Sequence, residues 1–94
     1  MANVYILFSK SIDSYYVGSC LNLEKRVKEH NSGVYKNSFT CRAKDWLIYF
    51  NFDVDYKLAR KIENHIKKMK SRKYYKDLKS YPEIMQSLIE KYKD

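Results

Sequence analysis

The stretch that decides the fold runs from residue 3 to residue 20 and reads N-V-Y-I-L-F-S-K-S-I-D-S-Y-Y-V-G-S-C. Asn3–Ser9 is a β-branched and aromatic run of strand character, and Ser11–Ser14 is a polar turn. Tyr15–Cys20 is a second short strand. So short a connection cannot make a parallel crossover, and the two strands therefore form an antiparallel hairpin. Alternation along a strand then puts Val4, Ile6 and Phe8 on one face, with Tyr5 and Leu7 on the other.

Working outward, Asn22 is placed to cap a helix that runs to about Asn31 and stops at Ser32-Gly33. Leu23 and Val27 form its apolar stripe, with Arg26 and His30, four apart, on one shoulder. Residues 34–45 are mixed and polar and read as a surface loop. Trp46–Phe52 (W-L-I-Y-F-N-F) is apolar almost throughout, which predicts a central strand covered on both faces. Tyr56–Lys70 is the strongest helix, with Leu58, Ile62, Ile66 and Met69 on one stripe and Glu63 on its shoulder. Ser71–Lys79 reads as a short further helical turn. Pro82 opens a last helix, with Met85, Leu88, Ile89 and Tyr92 at helical spacing. The order β-β-α-β-α-α predicts one α+β domain over residues 1–94, a small three-stranded antiparallel sheet flanked by helices.

Length and composition agree with that size. Ninety-four residues, 45% apolar and 16% aromatic, suit one folded domain rather than a disordered chain. No apolar run approaches the ~18–20 residues of a membrane span, and no basic segment followed by an apolar one opens the chain as a secretory signal does. Cys20 and Cys41 are too few for a disulfide framework, so a reducing, cytoplasmic setting is expected.

Charge is the first functional signal. The net charge is +8, and ten basic residues between Lys57 and Lys79 are opposed only by Glu63 and Asp77, so this stretch holds the whole surplus. Such a field suits a phosphate backbone, an anionic membrane surface or a merely solubilising face. The basic helix lacks Trp or Phe on its apolar side, which disfavours the membrane.

Known chemical motifs are few. Cys20, Cys41, His30 and His65 show no zinc-site spacing. There is no phosphate-cradling glycine loop and no nucleophile elbow. One constellation remains: Tyr5 and Tyr16 on the strands, Arg26 and His30 on the first helix, and Glu63 on the long one. Phosphodiester hydrolysis needs an activated water, stabilisation of phosphoryl charge and usually a hard divalent cation. A tyrosine acts as base only where cations depress its pKa of about 10. An arginine fork brackets phosphate, and a lone carboxylate can hold Mg²⁺ that keeps most of its waters. Singly, each residue has a plain structural role, and Glu63 can simply pair with Lys67 at i+4. Tyr15 beside Tyr16 also leaves two strand registers open, and the glycine two residues after Tyr16 favours Tyr16.

The pattern V-Y-I-L at 4–7, then Y-V-G-S at 16–19 with the second tyrosine eleven positions after the first, resembles the GIY-YIG nuclease family. L-x-x-R-x-x-x-H-N-x-G over Leu23–Gly33, W-L-I-Y-F at 46–50 and A-x-x-x-E at 59–63 continue the match across about residues 3–79. The resemblance implies a metal-dependent endonuclease that uses Mg²⁺ or Mn²⁺ and leaves 5′-phosphate and 3′-hydroxyl ends. It implies Tyr5 as general base, Tyr16 positioning water and phosphate, and Arg26 on the scissile phosphate. His30 would tune the first tyrosine, and Glu63 would bind the metal. Asn3 and Val4 depart from the first motif's glycine and isoleucine, and the usual proline before the tryptophan is missing. Ser19 stands where some relatives carry a lysine, which removes one cation from the tyrosines' surroundings.

DNA is the favoured partner, bound through Arg60, Lys67, Lys68, Lys70, Arg72 and Lys73. Without a zinc-finger or helix-turn-helix pattern, structure-selective or non-specific cutting is expected rather than sequence-specific cutting. The alternative is a catalytically idle nucleic-acid-binding module recruited by a partner protein. The 82–92 helix reads as core packing, or else as a docking face for a partner or a second copy.

Overall fold

The computed structural model describes residues 1–33 and 39–93. The hairpin forms as β1 (Ala2–Ser9) and β2 (Ser14–Cys20), antiparallel, with Tyr5 opposite Gly18 and Leu7 opposite Tyr16. α1 (Leu23–Ser32) begins on Asn22, whose side-chain oxygen accepts the Lys25 N–H, and ends at Gly33 in the left-handed conformation with φ 76°. Of the expected 34–45 loop, residues 34–38 lie outside the described residues, and Phe39–Arg42 is a 3₁₀ turn. β3 (Leu47–Val54), α2 (Tyr56–Met69), α3 (Arg72–Ser80) and α4 (Pro82–Tyr92) follow.

All pairings are antiparallel and the strand order is β2-β1-β3. β3 is therefore an edge strand, not the central strand expected from its composition, and Leu47 at its start is 70% exposed. An apolar run reports tolerance of burial, whereas the central place goes to the strand that can pair along both edges. β1 does this, and its residues are almost all buried. The second difference is α3, a nine-residue helix where a short turn was expected. The Ser71 side chain accepts the Tyr74 N–H at its start, and Leu78 is buried beneath it.

The alternation read along β1 holds and divides the interior in two. Val4 and Ile6 join Val17, Ala59, Ile62, Ile66, Leu78, Met85 and Leu88 in one core under α2, α3 and α4. Tyr5 and Leu7 face the other way, into a smaller core with Cys20, Ala43 and Trp46 beside α1. The stripe of α4 is thus packed on the protein's own interior. Asn31 clasps the start of β3 to α1: its Oδ1 accepts the Trp46 N–H at 2.7 Å and its amide donates to the Trp46 carbonyl at 3.0 Å. The smaller core carries the polar groups of interest.

Candidate active site

Burying a phenol and an imidazole is unfavourable unless each finds a partner. Tyr5 is 1% exposed and His30 3% exposed, and they meet with Tyr5 Oη 3.2 Å from His30 Nε2. On its far side His30 Nδ1 lies 2.7 Å from Thr40 Oγ1. Thr40 is fixed in turn, because the Trp46 indole N–H donates to its carbonyl at 2.9 Å. The result is a buried chain from Tyr5 through His30 to Thr40, with Trp46 as its floor.

Gly18 makes this chain possible. It sits directly opposite Tyr5 in the hairpin, and the phenol lies across it. A Cβ at residue 18 would stand 2.5 Å from the Tyr5 oxygen and 2.6 Å from the ring carbon that carries it. The glycine two residues after Tyr16 thus serves steric clearance.

The register of the two adjacent tyrosines is also resolved. Tyr16 packs on the Tyr5 side, its ring centroid 5.1 Å from that of His30 and 6.4 Å from that of Tyr5. Tyr15 points to the opposite face, among Phe8, Tyr49 and Tyr75. Tyr16 is the tyrosine that shares a site with Tyr5.

Glu63, 8% exposed, projects from α2 toward the end of β2. The Ser19 hydroxyl donates to its Oε1, and the Lys67 ammonium lies 2.6 Å from its Oε2. Arg60 Nε stands 3.9 Å from Oε1. The Lys67 ammonium also lies 5.8 Å from the centroid of the Tyr16 ring. Lys67, expected on the outer basic surface, therefore belongs to the site. The i+4 pairing with Glu63 is present.

Electrostatics join the halves of the site. The Tyr5 phenol is raised well above its ordinary range, chiefly by burial and then by neighbouring Tyr16. Arg26 acts to lower it, and Glu63 acts weakly to raise it, so both charges are felt at Tyr5. His30 is pushed down to about 4, first by burial and then by the Arg26 charge. Arg26 itself reaches Glu29, 3.8 Å from its Nε.

The six expected nucleic-acid contacts fall into different settings. Successive residues of a helix are about 100° apart, which puts Arg60 and Lys67 on the shoulder that carries Glu63 and sends Lys68 roughly a quarter-turn outward. Lys70 is exposed at the end of α2. Arg72 is tied to Asp13 at 3.0 Å, and Lys73 to Asp77 at 3.0 Å. Sequence reading missed Thr40 and the clasp of Asn31. Thr40 carries no spacing signal, while Asn31 stands inside the H-N-x-G motif without revealing its partner. Among the described residues no group of three or more His, Cys, Asp and Glu side chains is placed to hold a metal ion, and no helix is long and apolar enough to cross a membrane.

A family model for the GIY-YIG catalytic domain matches residues 1–76. The chain belongs to the GIY-YIG family. This makes it a member of an endonuclease family, with nucleic acid as the class of partner. It is also 41% identical over 69 residues to the UPF0213 protein CPE1444 of Clostridium perfringens (strain 13 / Type A), covering 73% of each chain. No solved structure matches it significantly.

Proposed function

We propose that this protein is a metal-dependent endonuclease that hydrolyses DNA phosphodiester bonds, selecting strand structure or nothing at all rather than base sequence. The observation that carries this reading is the buried chain of Tyr5, His30 and Thr40, held over Gly18 within the electrostatic reach of Arg26 and Glu63. Such a chain of hydrogen-bonding groups can pass a proton along its length.

His30 is neutral at physiological pH. In the tautomer whose Nδ1–H donates to Thr40, Nε2 is left to accept the Tyr5 O–H. Because burial holds the phenol protonated, Tyr5 acts in concert. It takes a proton from the attacking water as its own passes to His30 Nε2. The water oxygen bonds to phosphorus and the bond from phosphorus to the 3′-oxygen breaks. That oxygen takes a proton from solvent, His30 returns its proton to solvent, and the ends are a 5′-phosphate and a 3′-hydroxyl. Arg26 brackets the phosphoryl oxygens with its planar fork and favours the partial negative charge on the Tyr5 oxygen during the transfer. Tyr16, half-buried beside the chain, positions water and phosphate.

Glu63 and the Ser19 hydroxyl are the hard oxygen donors that suit Mg²⁺ or Mn²⁺, and Lys67 is on a flexible, half-exposed stem that can yield its place. Bound there, the ion supplies Lewis-acid stabilisation of charge on the phosphoryl oxygens. Arg60, Lys67, Lys68 and Lys70 supply contacts to the strand backbone, which hold the substrate without reading its sequence. Arg72 and Lys73 add to these by exchanging Asp13 and Asp77 for phosphate.

The test is cleavage of end-labelled nicked, flapped, branched and single-stranded DNAs and RNAs by wild type, Glu63→Ala and Tyr5→Phe, with Mg²⁺, Mn²⁺ or EDTA. Metal-dependent cutting that vanishes in both variants, with both still folded, is the expected result. Wild-type cutting in both variants would sink the assignment. The Lys67 ammonium on Glu63 favours a second reading, an idle binding module, for which all three proteins retard DNA and none cuts it.

A further inference from the structure

A pocket of about 450 Å³ opens beside the site, between the end of β2 and the first turns of α1 and α2. That is the size of a small-ligand cleft. Ser19 and Arg60, which hold Glu63, form one wall, and Arg26 joins it from α1. Lys25 and Tyr56 complete the lining that matters, and Tyr56 is 46% exposed. Three cations thus face the space against one carboxylate, Glu29, which already lies near Arg26. The lining pairs an anion-binding wall with an exposed aromatic residue. A bare phosphate needs no aromatic residue, and an apolar ligand needs no cations.

We infer that this pocket holds the nucleotide next to the scissile bond, its phosphate on Lys25, Arg26 and Arg60 and its base against Tyr56. The inference rests on the nuclease reading and names the substrate class: a strand whose base is unstacked from its neighbour. An intact duplex keeps its bases stacked and cannot fill the Tyr56 side, whereas a flap, a nick end or a single strand can. Phosphate chemistry sets the anchor, and the aromatic contact sets the preference for an open strand.

Binding can be measured in EDTA, apart from any cleavage. Amide chemical shifts of the full chain are followed with thymidine 5′-monophosphate and, separately, with inorganic phosphate. Anisotropy of a labelled oligothymidine, against its duplex, is read for wild type, Lys25→Ala, Tyr56→Ala and Tyr56→Phe. The nucleotide is expected to move the amides of Lys25, Arg26, Arg60 and Tyr56, and inorganic phosphate to move those of Lys25, Arg26 and Arg60 but not that of Tyr56. Tyr56→Ala should weaken single-strand binding by about tenfold, with Tyr56→Phe close to wild type. Lys25→Ala should lower the number of released counterions by about one. Shifts confined to other surfaces, or equal single-strand affinity in Tyr56→Ala and wild type, overturn the inference even if the protein cleaves DNA. Binding as expected with no cleavage under any metal would instead defeat the nuclease reading and leave the pocket standing.

Discussion

Gly18→Ala is a one-methyl test of the site. The new Cβ would lie 2.5 Å from the Tyr5 oxygen, and ordinary contact begins at 3.4 Å, so the phenol must retreat by about 0.9 Å. Tyr5 has little room for this, since its ring is buried between β2 and the smaller core. Its oxygen is already 3.2 Å from His30, so the retreat breaks that contact unless the imbedded imidazole follows it. Overpacking of this kind costs about 1–3 kcal/mol, and a lost buried hydrogen bond adds about 1 kcal/mol. A fall of roughly 1–2 M in the urea midpoint follows for a domain of this size. Cleavage should fall further than stability explains when measured where the variant is fully folded. Tyr5→Leu in the same chain makes space for the methyl, and the double variant should be at least ~0.5 kcal/mol more stable than the sum of the singles predicts. A wild-type midpoint and wild-type cleavage in Gly18→Ala would refute the reasoning, as would strict additivity.

Three further outcomes are expected. The unfolded chain takes up a proton on residue 30 below pH 6.5 that the folded chain refuses until about 4. Stability therefore falls with pH through that window, by up to about 3 kcal/mol, and His30→Gln should flatten the fall in urea titrations run in a His65→Gln background. Asn31→Ala leaves the Trp46 amide and carbonyl without their side-chain partner, and calorimetry should report a loss of about 2 kcal/mol with a shifted Trp46 fluorescence maximum. Lys67→Met removes a competing cation from Glu63, and Mn²⁺ affinity by water-proton relaxation should tighten about two- to fivefold; an unchanged affinity would place the ion elsewhere.

The hairpin, its facing and the helix caps are local properties, and they were legible in the sequence. Alternation along β1 separates Val4 and Ile6 from Tyr5 and Leu7, and the Asn22 and Gly33 caps bound α1. Strand order was not legible, because W-L-I-Y-F reports only apolar character and edge strands can carry it too. Tyr5, Tyr16, Arg26, His30 and Glu63 were singled out only through the family resemblance. Their mutual contacts were not, since they depend on a steric clearance at residue 18 and on a threonine from a loop with no periodic signal. The basic stretch was legible as a count of charges but not as a direction: Arg60 and Lys67 turn inward to Glu63, and Arg72 crosses to Asp13 on the hairpin turn.

That inward turn bears on how Ser19 functions. With no lysine at residue 19, cationic charge reaches this part of the site from Lys67, one turn along α2 from Glu63, at once 2.6 Å from the carboxylate and 5.8 Å from the Tyr16 ring centroid. A lysine at residue 19 would put a second ammonium where the serine hydroxyl now donates to Glu63, and it would compete with any divalent ion for the same oxygens. In the proposed mechanism the serine instead gives Oε1 a neutral hydroxyl donor, whose own oxygen would be free to turn to a divalent ion. Lys67, on its long stem, can move from carboxylate to phosphate as substrate binds. In the proposed mechanism, charge is thus mobile around Glu63 and fixed around Tyr5, where burial holds the phenol protonated and Arg26 opposes it.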